Sequence, residues 1–226
     1  MLQLEHVAWG LPDGSDIIKD VSFTLQSGRL VVVTGPNGGG KTSLAKLIAG
    51  IETPSGGRIL LEGEDITPLD MTERAKRGIA YAFQQPVRFK GLLVRDLLGK
   101  VGLCAEEYVD RELSAALSGG EMKRIEIASA LARQAKLTIF DEPEAGIDLW
   151  SFSRLVQTFE ELRGQGNGTL LIISHQERIL SIADDIIVVA DGRVRTAGPR
   201  GDILPGLLAG EHTSRCPRGK EAMPRE

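Results

Sequence analysis

The stretch GPNGGGKTS, residues 35–43, fits the pattern G-x-x-x-x-G-K-[ST] and follows the β-branched run RLVVVTG without a break. In that position the glycines let successive backbone N–H groups turn inward, where they can meet phosphate oxygens. The helix that follows adds its partial positive charge. Gly35, Pro36, Asn37, Gly38, Gly39, Gly40, Lys41, Thr42 and Ser43 are therefore candidate nucleotide-binding residues. Lys41 is placed to reach the β- and γ-phosphates, and the Thr42 hydroxyl to hold Mg²⁺. The bland alternative is a glycine-rich turn that binds nothing, and the strand, loop and helix in direct succession argue against it.

A second group follows from LTIFDE, residues 137–142, an apolar run that ends in two carboxylates. A buried strand would deliver Asp141 to the mouth of a sheet, where it can hold the magnesium through water. Glu142 can then face the water that attacks a γ-phosphate. Phosphoryl transfer needs metal charge, positioning and a group that orients that water. An isolated acidic pair at a strand end is commonly just solvated, but the phosphate loop upstream gives this pair a task. Gln84 in YAFQQP and His175 at the end of TLLIISH are weaker signals, because taken alone they are more often a polar turn and a surface histidine, although His175 ends a core strand that should lie beside LTIFDE. LSGGE, residues 117–121, precedes the helical-looking run EMKRIEIASALAR. It has the makings of an anion-binding helix start. It also suits a plain capped helix, with Ser118 as N-cap and Glu121 at N3.

The elements that must carry these groups can be read from periodicity. Strands are expected around Leu2–Leu11 and Val21–Leu25, at RLVVV, Arg58–Glu62, Ile79–Ala82, LTIF, TLLII, IIVVA and GRVR. Helices are expected at Lys41–Ala49, near Thr72–Arg77, after LSGGE, through Phe152–Leu162 and at QERILSIA. Strands alternating with helices predict an α/β domain with a largely parallel sheet covered on both faces. The boundaries are set at 1–210 for one domain, with 86–117 helical in pieces, and at 211–226 for a disordered tail that has almost nothing apolar to bury.

The chain has 226 residues, 42% of them hydrophobic and 26% charged, which suits one soluble α/β domain. A net charge of −4 gives no electrostatic reason to expect nucleic acid as a partner. Cys104 and Cys216 are too few for a disulfide framework, so a reducing, cytoplasmic setting is expected. No signal peptide is visible, and the longest apolar runs, Leu30–Val33 and Ile186–Ala190, fall far short of a membrane span.

Taken in order, these motifs resemble the ATPase subunit of the ABC superfamily, over residues 1–205. GPNGGGKT resembles its Walker A motif, Gln84 its Q-loop, LSGGE its signature, LTIFDE its Walker B, Gly146-Ile147-Asp148 its D-loop and His175 its switch histidine. The resemblance implies the P-loop NTPase fold of ABC type, a mixed sheet with an antiparallel N-terminal β subdomain and a helical subdomain that is shortened here. It also implies hydrolysis of MgATP, with Glu142, His175 and Gln84 catalytic and with Thr42, Gln84 and Asp141 around the metal. Two copies would pair head to tail in the presence of ATP. Ser118, Gly119, Gly120 and Glu121 of one, with Asp148, would then close over the nucleotide held by the other.

Within that superfamily, SGGEMKRIEIA, DEPEAGIDLWSF, AFQQPVRFKG and SHQERIL resemble the SufC-like ATPases of SUF iron–sulfur cluster assembly. That resemblance implies soluble scaffold proteins as partners. The alternative is the motor subunit of an ABC transporter, peripheral to the membrane through a membrane-spanning partner. Pro143 is transporter-like, and Leu11 stands where the superfamily usually carries an adenine-stacking tyrosine, with Trp9 on the same strand face.

Overall fold

The computed structural model describes residues 1–82, 127, 135–165 and 168–211. The chain opens with two long strands, β1 (Leu2–Gly10) and β2 (Asp16–Leu25), and a fully buried strand, β3 (Leu30–Thr34), that leads to helix α1 (Lys41–Ala49). After β4 (Gly56–Leu61), β5 (Glu64–Asp65) and α2 (Met71–Lys76) comes β6 (Ile79–Ala82). The remaining described elements are β7 (Leu137–Asp141), α3 (Leu149–Gln165), β8 (Thr169–Ile173), α4 (Glu177–Ile182), β9 (Asp185–Ala190), β10 (Arg193–Pro199) and α5 (Arg200–Glu211).

The strands form one ten-stranded sheet in the order β5-β4-β1-β2-β10-β9-β3-β8-β7-β6. Strands β9, β3, β8, β7 and β6 run parallel, while β5, β4, β1 and β2 pair antiparallel. The two parts are joined by a single parallel pairing, Arg193 with Asp20. An α/β mixed sheet with an antiparallel N-terminal portion is the expected fold. The mostly parallel sheet predicted from the strand–helix alternation holds only for the second portion. Antiparallel β1, β2 and β4 need no helical crossovers, so their alternation was not a guide to them.

Parallel strands covered on both faces read as continuous apolar runs, and LVVVT and TLLII do so. Val31 and Val33 point into one core with Leu171, Ile173, Ile139 and the apolar face of α1. In the same core lie Leu2, Val7, Val21 and Ile59 from the antiparallel strands, so α1 is clamped between the two portions of the sheet. Leu30, Val32, Leu170 and Ile172 face the other core, beneath α3 and α4. There Phe159 of α3 lies tilted on Phe140 of β7, with ring centroids 5.1 Å apart. Trp9 packs against the first core and Leu11 is 41% exposed.

Helix α2 starts at a reciprocal cap, in which the Asp70 carboxylate accepts from Glu73 N and the Glu73 carboxylate from Asp70 N. It carries Arg74, which is 1% exposed. The Arg74 guanidinium donates to Leu47 O (2.6 Å) and Ile48 O (3.0 Å) at the end of α1, and to Leu69 O and Thr67 O, both at 3.0 Å. A cation thus closes the negative end of the helix that begins at the phosphate loop. Arg74→Leu is expected to cost about 3 kcal/mol, because it leaves several buried carbonyls without a donor. A lowered urea midpoint at unchanged m-value would register that loss.

The C-terminal part of the domain holds one element that the sequence did not announce. The stretch after β10 forms helix α5 through Glu211 in spite of Pro205, with Ile203, Leu204 and Leu207 leaning on the second core. Sequence periodicity did not reveal that helix. The rest of the expected tail, the pieces at 86–117, Gln84 and LSGGE lie outside the described residues.

Candidate nucleotide site at the ends of the parallel strands

Three parallel neighbours, β3, β8 and β7, deliver their C-terminal ends to one edge of the sheet, where ligands of open α/β sheets bind. At the end of β3 the loop Gly35–Gly40 turns into α1. Gly35 has φ +133°, and a Cβ there would meet Val189 O of β9 at 2.0 Å, so only glycine lets the loop leave the strand this way. Gly40 is the N-cap of α1 in the left-handed conformation, and Leu44 N donates to its carbonyl. The amides of Lys41, Thr42 and Ser43 in the first turn then have no partner within the helix. They form the expected anion-binding start.

Lys41 is 6% exposed, and its Nζ donates to Gly35 O and Pro36 O, each at 2.9 Å. Burial pushes the ammonium down, while Glu142 and Asp141 pull it back. Among the described residues no carboxylate forms an ion pair with it. An ammonium has three donors, and two of Lys41's go to the loop.

Asp141 closes β7 and is 2% exposed. The Thr42 hydroxyl donates to its Oδ1 at 3.1 Å and the Tyr81 hydroxyl to its Oδ2 at 2.9 Å. Burial pushes the Asp141 carboxyl up and both hydrogen bonds draw it down. Burial, and then the Asp141 charge, push the Tyr81 phenol far above its usual range, so it stays a donor. A hard divalent cation fits this donor set. Thr42 gives its proton to Asp141 and keeps its lone pairs for a metal, and oxygen ligands suit Mg²⁺. Among the described residues no cluster of three or more His, Cys, Asp or Glu side chains offers a metal cage. Thr42 and Asp141 are the described residues that would hold such an ion.

Glu142 follows in a left-handed turn, with φ +46° and its amide donating to Ile173 O at 3.0 Å. A non-glycine residue at such an angle costs about 1–2 kcal/mol, and such strain gathers at functional sites. The turn takes the carboxylate off the strand line and brings Oε1 to 3.9 Å from His175 Nε2 at the end of β8. Burial, followed by the Lys41 charge, holds the His175 imidazole below its usual range, with Glu142 opposing them. Lys41, Thr42, Asp141, Glu142 and His175 are therefore brought to one place. Asp148 is not part of that cluster. Its Oδ1 accepts from the amides of Trp150 and Ser151 at 3.0 Å each, which makes it the cap of α3.

Tyr81 was missed by sequence reading, as were Glu144 and Ser174. Tyr81 stands opposite Ile139 in the parallel β6–β7 register, on the face that Asp141 shares. Only the pairing of two strands far apart in sequence could reveal it. The Ser174 hydroxyl donates to Glu144 Oε1 at 2.5 Å, again across a turn that the sequence does not specify.

A family model described as ABC transporter matches residues 18–145. A shorter one, described as AAA domain, putative AbiEii toxin, Type IV TA system, matches residues 112–181. The chain is 36% identical over 208 residues to an uncharacterized ABC transporter ATP-binding protein of Methanocaldococcus jannaschii, covering 81% of this chain and 83% of that one. It is 33% identical over 228 residues to the lipopolysaccharide export system ATP-binding protein LptB of Escherichia coli, covering 92% and 93%. Its fold matches that of cbiO1 from Clostridium perfringens, part of the ABC transporter complex cbiONQ, with TM-score 0.78 and 26% identity over 96% of both chains.

Proposed function

The chain belongs to the ABC transporter family and is an ATP hydrolase of the ATP-binding cassette type, and we propose that it is the motor subunit of a membrane transporter. The observation that carries the ATPase part of this reading is the convergence of Lys41, Thr42, Asp141, Glu142 and His175 at the C-terminal edge of the parallel strands. The relatives' names favour one of the two branches. They are named for transport, and they support a transporter subunit over the SUF-type assembly ATPase that the motif details suggested. Among the described residues no helix is long and apolar enough to cross a membrane. In this reading the membrane path belongs to a separate subunit.

Within the site, Lys41 and the first amides of α1 hold the β- and γ-phosphates of ATP. Glu142 orients the attacking water and takes up its proton as the bond to the γ-phosphorus forms and the bond from that phosphorus to the β–γ bridging oxygen breaks, releasing ADP. His175 donates from its imidazole to a γ-phosphate oxygen. Mg²⁺ held by Thr42, Asp141 and Gln84 would supply positive charge to the phosphate oxygens. Ser118, Gly119, Gly120 and Glu121 of a second copy, with Asp148, complete the pocket from across a head-to-tail pair. A helix start favours the anionic γ-phosphate that ADP lacks, so ATP joins the pair and hydrolysis loosens it.

Purification of the tagged protein from its host, with and without detergent, tests the transporter assignment. An integral membrane protein that accompanies it only in detergent is the expected result. Soluble scaffold proteins that accompany it without detergent would return the chain to the SUF-type reading.

A further inference from the structure

We infer that Glu144 is a positioning residue that sets the pose of His175 against Glu142 by holding the Ser174 hydroxyl, an inference that rests on the catalytic roles proposed above for Glu142 and His175. Glu144 stands two residues beyond Glu142, and Ser174 immediately precedes His175. Ser174 is fully buried at the end of β8, where its amide extends the sheet ladder to Val33 O at 3.2 Å. Its hydroxyl has two partners. It donates to Glu144 Oε1 at 2.5 Å and accepts from Gln176 N at 3.0 Å. The three residues that carry His175 from β8 into α4 are thus pinned on both sides of the imidazole, and the pin is anchored on the turn that carries Glu142.

The backbone supports the same coupling. The amide of Glu142 donates to Ile173 O, and Ala145 N to Glu142 O, each at 3.0 Å, so the turn 142–145 is tied to the last residue of β8. The backbone ties bring the two loops together but leave the direction of His175 open. The Glu144–Ser174 bond links the loops through side chains on either side of the 3.9 Å approach between His175 and Glu142.

The arrangement is costly as packing alone. Glu144 Oε2 is shut off from solvent and accepts no hydrogen bond among the described residues. Burial pushes the carboxyl up, with the Ser174 hydroxyl foremost among the groups that draw it down. An apolar side chain would bury no unmatched oxygen there. The carboxyl adds one acceptor aimed at Ser174, and that acceptor fixes the loop at the reacting end of the site.

A double-mutant cycle on ATP hydrolysis by the full chain tests this. Glu144→Ala and Ser174→Ala are each expected to lower kcat about 10- to 100-fold, the usual effect of slightly misplacing a reacting group, with KM for ATP within about twofold of the parent. The double variant should be no slower than the worse single one, because both remove the same bond. Glu144→Gln keeps an acceptor for Ser174 and should recover most of the parent rate, which also covers an Ala variant that folds poorly. Parent-like kcat in Ser174→Ala, losses that multiply in the double variant, or a change confined to KM would overturn the assignment. If Glu142→Gln abolishes turnover while these variants run normally, the inference about Glu144 fails and the site reading stands. If Glu142→Gln itself turns over normally, the site reading fails.

Discussion

Glu142→Gln is expected to bind MgATP as the parent chain does and to hydrolyse it at least ~10²-fold more slowly, the usual size of a lost general base. The geometry makes this the largest effect on turnover. Glu142 is held in a left-handed turn at φ +46°, clear of the strand that buries Asp141, with its carboxylate 3.9 Å from His175. The amide keeps the size and a hydrogen-bonding oxygen but cannot accept the proton that water loses on attack. Binding rests on other groups, the first amides of α1 and Lys41, so affinity should survive. Slow release should then let the head-to-tail pair accumulate. Single-turnover kinetics read the first outcome, and sedimentation with and without MgATP reads the second. Parent-like turnover would remove Glu142 from its role, and a strictly monomeric, ATP-saturated variant would remove the shared pocket.

Lys41→Ala should weaken nucleotide binding roughly 100-fold or more, about 3 kcal/mol, because charge-assisted hydrogen bonds to phosphate are the strong ones. Two losses combine. The buried ammonium sits in the loop that would hold the phosphates, and its bonds to Gly35 O and Pro36 O also keep that loop in shape. Titration calorimetry with ATP measures the change, with the unfolding midpoint as a control that the fold persists. Unchanged affinity would overturn the phosphate-loop assignment.

The position of Tyr81 shows why part of the site was invisible in one dimension. IAYA reads as a strand, and a strand is what forms. Nothing local says that it lies beside LTIFD in a register that sets Tyr81 against Ile139, within reach of Asp141 two residues on. Ser174 and Glu144 are a similar case, each ordinary in its own segment. Helix α5 failed for another reason. RGDILPGLLAGE carries Pro205 and glycines in its interior, and the second core pulls Ile203, Leu204 and Leu207 into a helix that local propensity disfavours. Likewise Trp9 and Leu11 could not be sorted by alternation alone; packing puts the first against the core and leaves the second partly in water.

By itself the sequence determined the groups whose chemistry is local: a strand, a glycine-rich loop and a helix start that can hold phosphate, and a buried strand that ends in Asp141 and Glu142. Those motifs work through their own backbone, whose hydrogen-bonding needs and allowed dihedral angles are set by neighbours in the chain. The tertiary structure alone decided which of these ends meet. Parallel pairing of β3, β8 and β7 brings Lys41, Asp141, Glu142 and His175 to one edge and sets Ser174 against Glu144, while the β6–β7 pairing recruits Tyr81 to support them. The physical reason is that strand register and the clamping of α1 between two portions of the sheet are settled by burying apolar side chains from distant segments, a summed effect that no single stretch contains.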